Sequence, residues 1–200
     1  MKKLFNKMFG RKMAVSMFTV VATGVLVSTT AFGAADSGVA VNGGTLSGGA
    51  ITFGNFGDIT LNGTQRTTSA NWEIADIVDA RGTGTGWGLT LNLSQFAEYD
   101  TNTSEYVTGG KTLPAGSLKV TEAPSVSLVD TTSSPANTIT PIVDSESLDT
   151  GTPVKLLSAA IDGGMGSYSV SPLTATLTTR ADAYAKTYKT DATVALVTGP

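Results

Sequence analysis

Short stretches in which apolar and polar residues alternate recur along most of the chain. The clearest is WGLTLNLSQF, residues 87–96, in which Trp87 and three leucines occupy every second position and small or polar residues fill the others. Successive side chains of a β-strand point to opposite faces, so this spacing predicts a strand with one apolar and one polar face.

Other segments have the same alternation or an excess of β-branched residues, and glycine, asparagine or aspartate follows most of them. They predict strands at 50–56, 58–63, 71–80, 116–123, 126–130, 154–161, 172–179 and 191–197. No sustained 3.6-residue period is present, although SQFAEY, residues 94–99, is compatible with one helical turn. Short strands separated by turn residues predict an all-β chain that folds as a single antiparallel β-sandwich or barrel-like domain.

The N-terminus has a different pattern. MKKLFNKMFGRKM carries five basic residues, an apolar run follows at 14–27, and small residues come next. This order predicts a secretory signal peptide over residues 1–35, cleaved after Gly33 or Ala35. The apolar run is shorter than the roughly 20 residues that span a bilayer, so a retained anchor is the less favoured alternative. We expect residues 36–200 to form the folded domain, with no membrane association after cleavage.

Removal of the predicted signal changes the charge. The chain has 13 basic and 16 acidic residues, and five of the basic residues lie in the signal, so the remainder has a net charge of −8. Phosphate contacts need clustered lysine and arginine, so nucleic-acid binding is not expected.

The chain has no cysteine and no histidine, which excludes the common nucleophile arrangements and the commonest metal ligand. No cofactor is expected.

Three other chemical signals are weak. The run GTGTGW has a tryptophan where the dinucleotide-binding pattern needs a glycine, and a strand follows it instead of a helix. Acidic residues cluster at 73–79 and 144–149, and paired carboxylates are what a glycosidase requires. Solvated surface acids are the more ordinary interpretation. The second cluster also suggests calcium, but it lacks EF-hand spacing. We therefore expect neither a catalytic nor a metal site.

Trp87 has two interpretations. A tryptophan at the end of an apolar face, next to glycines that let backbone approach, is typical of a buried core residue. The same residue at a sheet edge is suited to stacking on a sugar or on a partner. The alternation alone does not distinguish the two.

The segment DIVDARGTGTGWGLTLNLSQF, residues 76–96, resembles the first signature of the WxL domain, a surface domain of Gram-positive bacteria. Asp79, Arg81, Gly86 and Trp87 to Leu89 occupy the positions of that pattern. The upstream GGAITFGNFGDITLNG and the downstream DGGMGSYSVSP and TYKTDATVALVTGP resemble other parts of the family. The resemblance extends over residues 43–200.

The resemblance implies a secreted, non-catalytic protein that attaches non-covalently to the cell wall, with peptidoglycan as ligand and other surface proteins as partners. It also singles out Trp87 and Leu89, with Leu196 as their counterpart in the last strand, as residues that contact the ligand or support its site. The family usually repeats Trp-x-Leu in that last strand. Here Val194, Ala195 and Leu196 stand in its place, a departure that bears on binding more than on fold.

A second function remains open. An exported β-domain is also suited to be the subunit of an extracellular fibre or surface assembly. The stretch ADSGVAVNGGTLSGG, residues 35–49, contains Val39 and Val41 in alternation, and it resembles a strand that could add to a neighbour's open sheet edge. Self-association by strand addition is therefore the alternative hypothesis.

Overall fold

The computed structural model describes residues 38–200, and residues 40–200 form one compact unit. The predicted signal peptide lies outside the described residues. Within residues 38–200 the regular structure is β-strand, apart from a single 3-10 turn at Ala136–Thr138. No helix in this range is long and apolar enough to cross a bilayer.

Fifteen strands, numbered in chain order, lie in the described part of the chain. They are β1 Leu46–Gly48, β2 Ile51–Thr52, β3 Arg66–Ile74, β4 Ile77–Asp79, β5 Trp87–Leu93, β6 Ala97–Asp100, β7 Glu105–Tyr106, β8 Leu118–Glu122, β9 Val126–Leu128, β10 Ile139–Pro141, β11 Val154–Ala159, β12 Gly166–Val170, β13 Leu173–Thr179, β14 Tyr188–Lys189 and β15 Ala192–Thr198.

These strands pair antiparallel in four sheets. The strand orders are β1-β4-β12-β9, β10-β11-β5-β15, β2-β3-β13-β8 and β14-β6-β7. Most neighbours are far apart in sequence, as sandwich folds require when their sheets close over one core. The prediction of an all-β, sandwich-like domain is confirmed.

The strand predicted from the clearest alternation, β5, lies inside its sheet between β11 and β15. Leu89 pairs with Leu157 of β11 on one side and with Leu196 of β15 on the other. Trp87 and the three leucines of β5 are all buried, whereas Thr90 and Asn92 on the opposite face are partly exposed. The alternation therefore corresponds to a face in the core and a face that is partly exposed to solvent.

One predicted strand is absent, the strand predicted at 50–56 is shortened to β2, Ile51–Thr52, and a third is split. Residues 58–63 form no strand, and the chain turns at Asn62, whose side chain accepts hydrogen bonds from Thr64. Residues 94–99 form no helical turn. Their second half belongs to β6, which pairs with β7 and β14. The single strand predicted at 71–80 divides into β3 and β4, and Ala75 between them donates its N–H to the carbonyl of Ala50.

Candidate functional site

Trp87 opens β5 and is fully enclosed, with 0% of its surface exposed. Its indole Nε1 donates a hydrogen bond of 2.9 Å to the carbonyl oxygen of Gly164, and its ring lies 6.5 Å from the ring of Tyr168 between centroids. A buried indole N–H needs such a partner, because an unsatisfied donor costs about 1–3 kcal/mol. The tryptophan thus joins β5 to the loop before β12.

That loop contains the GGMG element, and its geometry explains the glycine at position 164. Gly164 has a φ of +68°, and a Cβ there would lie 2.7 Å from Nε1 of Trp87. Left-handed backbone and the close approach of the indole both favour glycine. The GGMG element and the tryptophan of the signature, separated by 77 residues, are therefore two halves of one packing arrangement.

Asp79 and Arg81 form a bidentate ion pair next to Trp87. Arg81 Nε donates to Asp79 Oδ1 at 2.9 Å and Arg81 Nη2 to Asp79 Oδ2 at 2.8 Å. The side chains are only 1% and 14% exposed. Arg81 also donates to the carbonyl of Gly86 and to Oγ1 of Thr198, both at 2.8 Å. One guanidinium thereby connects β4, the glycine loop before β5 and the end of β15.

The pair has a clear electrostatic consequence. Hydrogen bonds from Arg81 lower the pKa of the Asp79 carboxyl below its usual 3.8, although burial acts in the opposite direction. The same contact raises the pKa of Arg81. Charge-assisted hydrogen bonds favour the ionised form of both groups. Asp79 is consequently held as a carboxylate with both oxygens occupied, which leaves it unsuited to proton transfer.

Gly86 is the third signature residue of this cluster. Its φ is +69°, and a Cβ would lie 2.5 Å from the carbonyl oxygen of Ala159 and 2.9 Å from that of Ala160. The carbonyl of Gly86 accepts both the Arg81 hydrogen bond and the N–H of Gly199. Glycine is required here because the loop passes directly against β11 while it feeds β5.

The three residues predicted to contact or support a ligand occupy different environments. Trp87 and Leu89 are wholly buried, and Leu196 is half-buried on β15, opposite Leu89. They therefore form one continuous stretch of the core, and only Leu196 reaches the surface. Their role in binding stays a prediction, but the folded arrangement favours its supporting version over direct contact by Trp87.

Two surface hollows of the described chain are relevant to ligand binding, one beside the signature residues and one lined by aromatic rings. The first, of about 400 Å³, adjoins the signature and is lined by Asp79, Ser133, Ser134, Met165 and neighbouring small residues. The second, which we name the aromatic groove, has a volume of about 610 Å³ and lies between residues 56–61 and residues 184–188.

The aromatic groove combines aromatic rings with hydroxyl groups. Its walls include Phe56, Thr68, Phe96, Thr179, Tyr184 and Tyr188. Tyr184 is 58% exposed, and its carbonyl oxygen accepts a hydrogen bond of 3.0 Å from the hydroxyl of Tyr188. The sequence did not predict this groove, because its two sides are about 125 residues apart and residues 184–188 have no strand pattern.

The acidic clusters do not assemble into a site in residues 38–200, where no group of three or more Asp or Glu residues could hold a metal ion. Asp144 accepts the N–H of Ala123. Asp149 is fully buried, and its Oδ1 accepts the N–H groups of Gly116 and Leu118 at 2.9 and 3.1 Å. The calcium hypothesis is thus unsupported, and Asp149 instead caps a turn.

Asp149 gives a stability prediction. Its Oδ2 is buried without a hydrogen-bond partner, and burial raises the pKa of the carboxyl above 3.8. Asp149→Asn keeps an acceptor for both N–H groups and removes a buried charge, but it places an NH2 group without an acceptor where Oδ2 lies. We therefore expect the two effects nearly to cancel at pH 7, with a net change below about 1 kcal/mol. Urea denaturation measures the change.

The raised pKa also determines the pH dependence of this effect. The wild-type penalty is present when Asp149 is ionised and disappears as the pH falls through its folded-state pKa towards 3.8. The stability of Asp149→Asn relative to wild type should therefore decrease over that range. Asp149→Ala, the control, leaves two N–H groups unpaired and should destabilise by about 1–3 kcal/mol. An Asn variant whose stability relative to wild type did not change over that pH range would contradict this account.

The structure is that of an all-β domain in which a buried tryptophan, a bidentate Asp–Arg pair and a loop with positive-φ glycines pack together. The family comparison gives the specific assignment. The model of the family described as WxL domain surface cell wall-binding matches residues 36–200, and the chain belongs to this family. Neither a curated protein nor a solved structure gave a significant match.

Proposed function

We propose that this protein is a secreted, non-catalytic component of the Gram-positive cell surface that associates non-covalently with peptidoglycan. The observation that carries the proposal is the family match, which spans residues 36–200 and thus every strand of the described domain. The family is one of surface cell wall-binding domains, which supports a location at the wall. Peptidoglycan is the ligand implied by the family resemblance.

The side chains of the described domain support the absence of catalysis. Both oxygens of Asp79 are occupied by Arg81, and Asp149 is enclosed in the core. A general acid or base must reach a substrate proton, and neither buried carboxylate does so in this arrangement. With no cysteine or histidine in the chain, the usual nucleophile–base pairs are also lacking.

In this proposal Trp87 and Leu89 stabilise the fold of the domain and do not contact the ligand. Trp87 fixes the loop that contains Gly164, and Arg81 fixes Gly86 and the end of β15. Leu196, which is half-buried on β15, is the one of the three predicted residues that reaches the surface, and it lies outside the aromatic groove. Val194 stands where the family usually has the tryptophan of a second Trp-x-Leu. This difference changes a side chain on the core side of an outer strand.

We place the glycan contact in the aromatic groove. Sugars present apolar ring faces and a rim of hydroxyls, and the groove offers an exposed tyrosine ring together with threonine hydroxyls. Amphipathic rings such as tyrosine combine contact area with a polar edge. Lys111 Nζ lies 4.4 Å from the centroid of the Tyr184 ring and helps to hold that ring in place.

The test is co-sedimentation of residues 36–200 with isolated Gram-positive walls and with walls stripped of teichoic acids. Tyr184→Ala should weaken binding about tenfold, since an aromatic contact contributes on the order of 1 kcal/mol beyond its buried area. Val129→Ala is the matched control, because Val129 is 57% exposed and lies outside the groove. Its binding should equal that of wild type.

The outcomes separate the function from the location of its site. Failure of the wild-type protein to sediment with either wall preparation would refute wall association. Binding that is lost when teichoic acids are removed would refute peptidoglycan as the ligand. Full binding by a folded Tyr184→Ala variant would refute the aromatic groove as the contact and leave the wider proposal standing.

A further inference from the structure

β15 is an outer strand whose free side is fully available for hydrogen bonding. Within residues 38–200 its only partner is β5. Gly199 donates its N–H to Gly86, and Asp191 accepts the N–H of Ser94, so the odd-numbered residues of this segment bond to β5. Antiparallel pairing alternates along a strand. The N–H and C=O groups of Ala192, Val194, Leu196 and Thr198 therefore point away from the sheet.

This edge lacks the usual protection against strand addition. Natural edges are kept short, bulged, charged or interrupted by proline. β15 is seven residues long, pairs with β5 in unbroken register, and contains neither a charged residue nor proline. The outer strand β8 differs, because residues 145–148 cover it through bonds such as Val120 N–H to Glu146 C=O.

The side chains under the edge are apolar. Val194 and Leu196 point to the core side of the sheet, opposite Leu91 and Leu89, and both pack against the core while remaining partly exposed. A strand that added at this edge with apolar residues at two alternate positions would cover them. Edge hydrogen bonds would supply affinity, and the alternate side chains would supply register.

Residues 38–42 have the complementary properties. The sequence is GVAVN, without charge, and the segment takes part in no strand and no backbone hydrogen bond within the described chain. Val39 and Val41 are 87% and 90% exposed. They are two residues apart, so in an extended conformation both side chains lie on one face, at the same spacing as Val194 and Leu196.

We infer that residues 38–42 of one copy of this protein add as a further strand to β15 of a second copy. Val39 and Val41 cover Val194 and Leu196, and the outward N–H and C=O groups of β15 gain partners. Donor and acceptor are different surfaces of the same chain, so the contact is head-to-tail and continues from copy to copy. The domain thereby gains a route to linear assembly that is separate from wall binding.

Size-exclusion chromatography with light scattering on residues 36–200 tests this directly. Wild type should form oligomers whose mass rises with protein concentration. Val41→Asp places a charge on the donor and Val194→Asp places one of the same sign under the acceptor edge. Each should weaken association about a hundredfold or more, because a charge would have to be buried without a partner. Ala40→Asp and Ala195→Asp, which alter the opposite faces of the same strands, are the controls.

Mixing the two defective variants provides the sharpest result. The Val194→Asp copy keeps an intact donor and the Val41→Asp copy keeps an intact acceptor, so an equimolar mixture should form 1:1 dimers that grow no further, since the remaining contact would bring two carboxylates together. Thermal melts would establish that each variant is folded. A wild type that stays monomeric at its highest soluble concentration would overturn the inference, as would a mixture of folded variants that forms no dimer.

Discussion

Trp87→Ala is expected to lower the free energy of unfolding by about 3–5 kcal/mol, the range observed when a large aromatic side chain is removed from a core. Trp87 has no exposed surface, so the whole volume of the indole becomes a cavity. The carbonyl of Gly164 also loses the N–H of Nε1 as its partner. Urea denaturation of residues 36–200 measures the loss.

Trp87→Phe is the matched control for this prediction. Phenylalanine fills much of the same volume but donates no hydrogen bond, so its cost should be smaller than that of alanine. If Trp87 acts by supporting the fold, wall binding should decline with the folded fraction in Trp87→Ala and persist in a folded Trp87→Phe variant. A Trp87→Phe domain that is folded but no longer binds walls would instead indicate direct contact.

Three of the long strands could be predicted because their pattern has room to repeat, whereas β3, the longest at nine residues, is predicted only from residue 71, since its first five residues, RTTSA, have no apolar alternation. β5, β13 and β15 each extend over seven residues, and an alternation of that length is difficult to reconcile with another structure. Strands β10 and β14 have three and two residues, too few for a period to show. Their existence depends on pairing with distant partners, and that information is not local.

The same reasoning applies to the candidate site. The family resemblance singled out Asp79, Arg81, Gly86 and Trp87 from one contiguous signature, and hydrogen bonds of Arg81 to Asp79 and Gly86 link these residues in the fold. It did not indicate that Trp87 is buried, since a core face and a binding face have the same alternation. The partner of Trp87, Gly164, lies 77 residues away. The aromatic groove is built likewise from distant segments, so only the folded chain reveals it.

The second large effect is expected from Arg81→Met, which should destabilise the domain by about 3–5 kcal/mol because it leaves the carboxylate of Asp79 buried and unpaired. The guanidinium also makes the contacts to Gly86 and Thr198, which methionine cannot make. Arg81→Lys should recover only part of the stability, since an ammonium does not provide the bidentate geometry. The double variant Asp79→Asn, Arg81→Met should be more stable than Arg81→Met alone, because it removes the unpaired charge.

The pH dependence distinguishes this explanation from a simple loss of packing. In wild type the pKa of Asp79 is lowered below 3.8, so the stability that the pair contributes is present above pH 3.8 and is lost as the pH falls through the folded-state pKa. In Arg81→Met, burial without a partner should raise that pKa, so acid relieves the penalty. The difference in unfolding free energy between the two proteins should therefore narrow from pH 7 to pH 3, as measured by urea denaturation. A difference that stayed constant over this range would mean that Arg81 contributes by packing and neutral hydrogen bonds rather than by pairing with the Asp79 carboxylate.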